Sequence, residues 1–329
     1  MIISRTPFRI SFVGGGSDME TFYSRHQGAV LSTSIDKYMY ISSHRYFYKD
    51  QIQVKYSRTE TVDNVNKLQH PLLREALRKA KITGGIEISS IADIPAGTGM
   101  GSSSSFVVGL LHNLYAINRR YVSHDVLAAE ACEIEIDILK EPIGKQDQYA
   151  AAFGGLNIIY FNADGSVRVE PLYIDSAVYY ALENNLIMFY VGNQRKASDI
   201  LSEQKRNASR DEKFNILKQM VGLVSELRDC LYAGQINDFG KLLHENWILK
   251  QKLASKISNP EIEAIYEAGL KNGASGGKLL GAGGGGFMLF YCEKEKQQKL
   301  KVALKKYDTF DFRFERDGSK IIYFADEYR

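Results

Sequence analysis

Residues 95–105 read PAGTGMGSSSS, and the apolar run FVVGLLHNLYAIN begins at the next position. Three glycines in five positions free the backbone, and a helix starting right after them offers unpaired N–H donors and a partial positive charge. A strand, a glycine turn and a helix N-terminus in that order suit an anion, phosphate above all. A plain strand–helix turn would use the same letters, because turns are rich in glycine. Two further segments weigh against the plain reading. GGGSD at 14–18 closes a strand that carries Arg9, and GAGGGGF at 281–287 leads into the strand-like FMLFYC. Gly283, Gly284 and Gly285 leave a stretch without side chains, which lets a ligand or another backbone come close. Three such segments spread along one chain are most simply the walls of one cleft.

The candidates for phosphate contact are therefore Gly97, Gly99 and Gly101 with Ser102, Ser103 and Ser104, whose hydroxyls can reach phosphate oxygens or a divalent cation. No lysine follows the glycines as GxxxxGK[ST] requires, and no ribose-binding acid stands about 20 residues beyond a GxGxxG. A P-loop NTPase and a dinucleotide-binding fold are thereby set aside.

Around these segments the chain alternates strand and helix. FRISFV, AVLSTSIDKYMYISSHRYFY, QIQVKYS and GGIEISSIAD read as strands, and PLLREALRKAKI as a helix with Pro71 in its first turn. A helix over about 123–139 has Ser123 as its N-cap, a short helix carries KQDQYAAAF, and GGLNIIYF returns to strand. The second half opens on the strand NLIMFYVG. Helices follow near 212–232, 236–254 and 260–272, then the third glycine segment, a helix in KEKQQKLKVALKKY, and the closing strands FDFRFE and KIIYFA. With 329 residues, this order predicts an α+β chain of two domains, 1–175 and 176–329, sharing a cleft. Trp247, at helical spacing from Leu243, is expected to pack in the core.

The formal net charge of +3 carries no nucleic-acid footprint. No run approaches the roughly 20 apolar residues that span a bilayer. Cys132, Cys230 and Cys292 are too far apart for a zinc site and odd in number, which suits a reducing cytoplasm. The opening MIISRTPFRISF has no apolar core and no small-residue cleavage signal, so no signal peptide is expected. Oligomeric state has no signature here.

Helix 123–139 contains an internal test. At 100° per residue, Glu130, Glu133, Asp137 and Glu141 share the solvated side, while Leu127, Ala128, Ala131, Cys132, Ile134, Ile138 and Leu139 form the apolar arc. Glu135 falls inside that arc. A carboxylate there is either paired structurally or holds a metal, because an unpaired buried charge is costly. Twelve residues on, GKQDQY places Asp147 after a glycine turn, as a helix N-terminal acid or as a base for a hydroxyl. A phosphate cradle, a metal-binding carboxylate, a cation in Arg9 and an acid in Asp147 are the parts phosphoryl transfer needs.

PFRISFVGGGSD, PAGTGMGSSSS and KLLGAGGGGF resemble the three ordered motifs of the GHMP kinases, the galactokinase, homoserine kinase, mevalonate kinase and phosphomevalonate kinase family. The resemblance runs from near residue 5 to near residue 290. It implies an N-terminal S5-like α/β domain, a C-terminal ferredoxin-like α+β domain, and ATP in the cleft. It also implies that Ser103 and Glu135 hold Mg²⁺, with Ser102 and Ser104 open as alternatives along the serine run. Asp147 resembles the catalytic aspartate, Arg9 the cation lying against it, and Asp18 a sugar-binding acid.

Galactokinase-like members have Glu-His where this chain has Gly15-Gly16, which argues against galactose. GGGSD, GAVLSTSIDKYMYI, GKQDQYAAAFGGLN and RKASDIL look more like the D-glycero-D-manno-heptose 7-phosphate kinases, with fucokinases close by. That resemblance implies transfer from ATP to an anomeric hydroxyl, giving the 1,7-bisphosphate for nucleotide-activated heptose. It places Gly15, Gly16 and Asp18 at the acceptor, and a substrate phosphate would call on Arg195, Lys196 or Lys37. The rival readings are an L-fucokinase or other aldose 1-kinase and, in a different class, a non-catalytic ligand-binding regulator. The expected partners are a sugar phosphate and ATP, with no nucleic acid and no membrane.

Overall fold

The computed structural model describes residues 1–192, 197–208 and 210–325. Thirteen strands are found among them: β1 (Ile2–Val13), β2 (Gly28–Arg45), β3 (Ile52–Lys55), β4 (Thr59–Val62), β5 (Ile86–Ala92), β6 (Leu156–Phe161), β7 (Val167–Pro171), β8 (Leu186–Gly192), β9 (Ala274–Leu279), β10 (Gly286–Cys292), β11 (Asp308–Thr309), β12 (Phe314–Glu315) and β13 (Lys320–Phe324).

The first sheet runs β13-β1-β2-β5-β3-β4, with β6 and β12 also paired to the long β2 and β7 paired to β6. β1 and β2 are antiparallel, with Ile10 opposite Thr33, while β3 and β5 are parallel. The second sheet is antiparallel in the order β11-β8-β10-β9. Counted from β8, that is the 4-1-3-2 order of a βαββαβ unit, as expected for the second half. β12 and β13 belong to the first sheet, so residues 176–329 contribute strands to both. β13 finds a free edge on β1, where Ile2 pairs with Phe324. FDFRFE forms only the two-residue β12, paired to β2 at Ile35 and Ser34.

The apolar helix Ser102–Ile117 lies against β1 and β2, buried along most of its length. Helix Pro71–Lys79 has Pro71 in its first turn, and helix His124–Cys132 has the Ser123 hydroxyl accepting from the Val126 N–H, as expected. From Glu133 to Ile138 the helix widens into a π turn. The Leu139 N–H reaches back to the Ile134 carbonyl, five residues away. The extra residue in the turn rotates the later positions off the 100° projection. Ile138, assigned to the apolar arc, is 45% exposed, whereas Glu135 ahead of it stays fully buried.

β9 went unread because ASGGKL is glycine-rich. Its glycines serve packing: a Cβ at Gly276 would stand 1.8 Å from the Gly240 carbonyl oxygen on helix Asn237–Gln251. The halves meet where Phe12 of β1 abuts Phe239 edge to face at 5.2 Å and the Gly14 N–H donates to the Asn246 Oδ1 at 3.1 Å. Trp247 is fully buried, as its spacing predicted. The three cysteines are free and buried. Among the described residues no helix is long and apolar enough to cross a membrane.

Candidate active site

The three glycine segments meet around one cavity of about 270 Å³ at the junction of the two halves. Its wall includes Arg9 and Ser11 from β1, Gly15, Gly16 and Asp18 from the first segment, and Gly97, Gly99, Gly101 and Ser102–Ser104 from the second. Gly281, Gly283 and Gly285 come from the third. Contact between two of the segments is possible only without side chains. Gly99 has φ +85°, and a Cβ on Gly281 would stand 2.3 Å from the Gly99 Cα. Gly284 does not reach the cavity; its N–H donates to the Ile257 carbonyl and anchors the loop.

Arg9 ties this wall together. Its Nε donates to Asp147 Oδ1 at 2.7 Å and its Nη2 to Oδ2 at 2.6 Å, while Nη1 donates to the Gly99 carbonyl at 2.7 Å. The Arg9 N–H also reaches the Met100 carbonyl at 3.3 Å. One buried guanidinium thus fixes both the turn of the second glycine segment and the orientation of the Asp147 carboxylate. Each carboxylate oxygen keeps a second lone pair for a hydroxyl donor.

Glu135 lies beneath the N-terminus of helix Ser102–Ile117. It accepts from the Ser103 hydroxyl at 2.6 Å on Oε1, and from the Ser104 hydroxyl at 2.8 Å and the Gln148 amide at 2.6 Å on Oε2. Burial pushes its carboxyl up to about 7, although the three donors pull the other way and the nearby Asp147 adds to the rise. Ser104 is buried, whereas Ser103 is exposed toward the cavity. One carboxylate and one accessible hydroxyl are hard oxygen donors of the kind that hold Mg²⁺ while leaving most of its octahedron to phosphate and water. The residues present fit that ion.

Asp18 is buried in the same cavity wall. It accepts from the Gly16 N–H at 2.9 Å, the Gln146 N–H at 3.2 Å and the Gln146 side-chain amide at 3.3 Å. Burial, and then the charge of Asp147, push its carboxyl above the usual range. Gln146 and Asp147 open the same short helix, Gln146–Phe153, so one turn of backbone serves both acids.

Two cavity cations were not singled out from the sequence. The Lys278 Nζ donates to the Ser11 and Phe12 carbonyls at 2.7 and 2.8 Å, and the Lys250 Nζ to the carbonyls of Leu279 and Gly281. Burial lowers both pKa values, to about 7 for Lys250, with Arg9 adding to the effect. Lys250 carried the same signal as Glu135: it lies three residues after Trp247 and seven after Leu243, a charge on an apolar helix face. Lys37 lies outside the cavity wall. It donates to its neighbour Asp36 at 3.0 Å, over the Phe310 ring. Arg195 and Lys196 fall outside the described residues.

Comparison with known proteins matches residues 66–155 to the GHMP kinase N-terminal domain and residues 227–308 to the GHMP kinase C-terminal domain. The chain is a GHMP kinase. This GHMP kinase is 28% identical to a D-glycero-alpha-D-manno-heptose 7-phosphate kinase of Campylobacter jejuni, over 97% of this chain and 98% of that one. It is 26% identical to a bifunctional fucokinase/GDP-fucose pyrophosphorylase of Arabidopsis thaliana, over 93% of this chain and 31% of the relative. Among solved structures, a D-glycero-D-manno-heptose 1-phosphate kinase from Bacteroides thetaiotaomicron superposes with TM-score 0.81 at 22% identity, covering 99% and 100% of the two chains. The architecture is therefore the two-domain α+β GHMP kinase fold, and the chain is an ATP-using phosphotransferase.

Proposed function

We propose that this GHMP kinase transfers the γ-phosphoryl group of ATP to the anomeric hydroxyl of D-glycero-D-manno-heptose 7-phosphate, giving the 1,7-bisphosphate for nucleotide-activated heptose. The observation that carries the choice of sugar is the end-to-end similarity to the C. jejuni heptose 7-phosphate kinase, over 97% and 98% of the two chains.

In this reading the N–H groups at Gly97–Gly101 and the start of helix Ser102–Ile117 hold the ATP phosphates, with Ser102 and Ser104 alongside. Ser103 and Glu135 hold Mg²⁺, which neutralises phosphate charge when bound. Asp147 accepts the proton of the acceptor hydroxyl on an oxygen that Arg9 keeps oriented, and Arg9 stabilises charge on the transferred group. Asp18, fixed by Gly16 and Gln146, faces the sugar hydroxyls beside Gly15 and Gly16. Gly283 and Gly285 close the wall against the phosphates, and Gly284 anchors that loop.

Incubating the enzyme with ATP, Mg²⁺ and a panel of sugars and sugar phosphates tests the reading. The expected result is ADP formation with heptose 7-phosphate at the highest kcat/KM. A preference for L-fucose, toward which the Arabidopsis similarity points, would replace the sugar assignment and leave the kinase chemistry intact.

A further inference from the structure

The cavity wall holds two buried cations, Lys250 and Lys278, that stand apart from its carboxylates. Arg9 is committed to Asp147 through two hydrogen bonds. Lys250 and Lys278 have no carboxylate within ion-pair distance among the described residues, and Lys250 raises the cost of charging Lys278. Burying cations without an anion is costly, and a fold bears that cost where an anion arrives to compensate.

Lys250 is placed to meet one. An ammonium has three N–H donors, and among the described residues those of Lys250 have two partners, the carbonyls of Leu279 and Gly281. Those carbonyls lead into the third glycine segment at the point where it touches Gly99. Arg9 is close enough to act on the charge of Lys250, and Arg9 is fixed to Asp147. The phosphoryl group in transit must lie where the donor nucleotide meets the acceptor-orienting acid. Lys250 is linked to that acid through Gly281, which touches Gly99, whose carbonyl is held by the same Arg9 that pairs with Asp147.

We propose that Lys250 is a further catalytic residue, whose third N–H contacts the terminal phosphoryl group of the bound nucleoside triphosphate. The proposal rests on the cavity being the nucleotide phosphate site and is independent of the acceptor sugar. Lys278, with carbonyl partners at 2.7 and 2.8 Å, ties β9 to β1 and adds positive potential.

The test needs no acceptor. Affinities of the non-hydrolysable triphosphate analogue AMP-PNP and of ADP, each with Mg²⁺, are measured for the wild type and for Lys250→Met. The loss of one charge-assisted hydrogen bond predicts AMP-PNP binding weaker by about 10- to 100-fold, with ADP binding unchanged. Lys250→Arg, which keeps the charge, is expected to retain most of the AMP-PNP preference. Equal losses for both nucleotides would make Lys250 a clamp between the loops and overturn the proposal, as would no loss for either. Fluorescence of Trp247, the single tryptophan, reports whether Lys250→Met is folded; if it is not, Lys250→Gln and Lys250→Arg carry the comparison. A wrong sugar assignment would appear in the acceptor panel and leave these affinities untouched.

Discussion

Arg9 and Asp147, 138 positions apart, meet in a two-point fork, with Nε to Oδ1 at 2.7 Å and Nη2 to Oδ2 at 2.6 Å. The third guanidinium nitrogen holds the Gly99 carbonyl, so Asp147 and the turn of the second glycine segment share one anchor. In the proposed reaction that single rigid group aligns donor and acceptor.

Asp147→Ala is expected to lower kcat by about 10²–10⁴-fold, the usual contribution of an acid–base group, with ATP affinity retained. Arg9→Lys cannot make the fork and the Gly99 contact together, and kcat should fall with it. Steady-state kinetics and nucleotide titration read both. Near-normal turnover of Asp147→Ala would remove Asp147 from the chemistry.

Glu135 ionises at about 7 in the fold rather than at 4.5, and a protonated carboxyl is a poor metal ligand. The Mg²⁺ concentration for half-maximal turnover is therefore expected to rise as pH falls below about 7 in the wild type. Glu135→Gln should raise that concentration at every pH and flatten its pH dependence. An unchanged metal requirement would take Glu135 out of the metal site.

Ser103 and Ser104 both donate to Glu135, but Ser103 is exposed whereas Ser104 is buried. Ser103→Ala should shift the Mg²⁺ requirement with little change in stability. Ser104→Ala should cost about 1–3 kcal/mol of stability, since it deletes a buried hydrogen bond, and leave the Mg²⁺ requirement closer to wild type. Urea midpoints and Mg²⁺ titrations of the two variants separate the roles, and the reverse pattern would exchange them.

Lys250 in the folded protein ionises at about 7, below the 10.5 of an exposed lysine. Between those values the unfolded chain holds more protons, so stability rises with pH across that window. Lys278, lowered in the same direction, adds to the slope. In the nucleotide-free enzyme, the gain in urea midpoint from about pH 7 to about pH 9 should be smaller for Lys250→Met than for the wild type. Equal gains would show that Lys250 does not titrate in that range.

Much of the candidate site was legible because its signals are local. A helix after glycines and serines, Glu135 inside an apolar arc, and Asp147 after a turn are each written within a dozen residues. Lys250 carried a signal of the same kind on a helix whose apolar face was credited only to Trp247 and Leu243. Lys37 failed for the opposite reason: proximity to a resembling segment says nothing about which side of β2 a side chain takes, and it pairs with Asp36. Beyond Glu133 the π turn broke the assumed period, so Ile138 emerged on the surface.

The sequence by itself determined most of the elements, the three glycine segments and several of the polar groups that line the cavity, because periodicity and turn chemistry depend on near neighbours. Only the tertiary structure decided which groups meet. It brought Arg9 to Asp147 and Ser103 to Glu135, set Lys250 and Lys278 into the cavity, and returned β12 and β13 to the first sheet. Those pairings arise from sheet order and from the backbone contact of Gly99 with Gly281, which relate residues far apart in the chain and leave no local pattern to read.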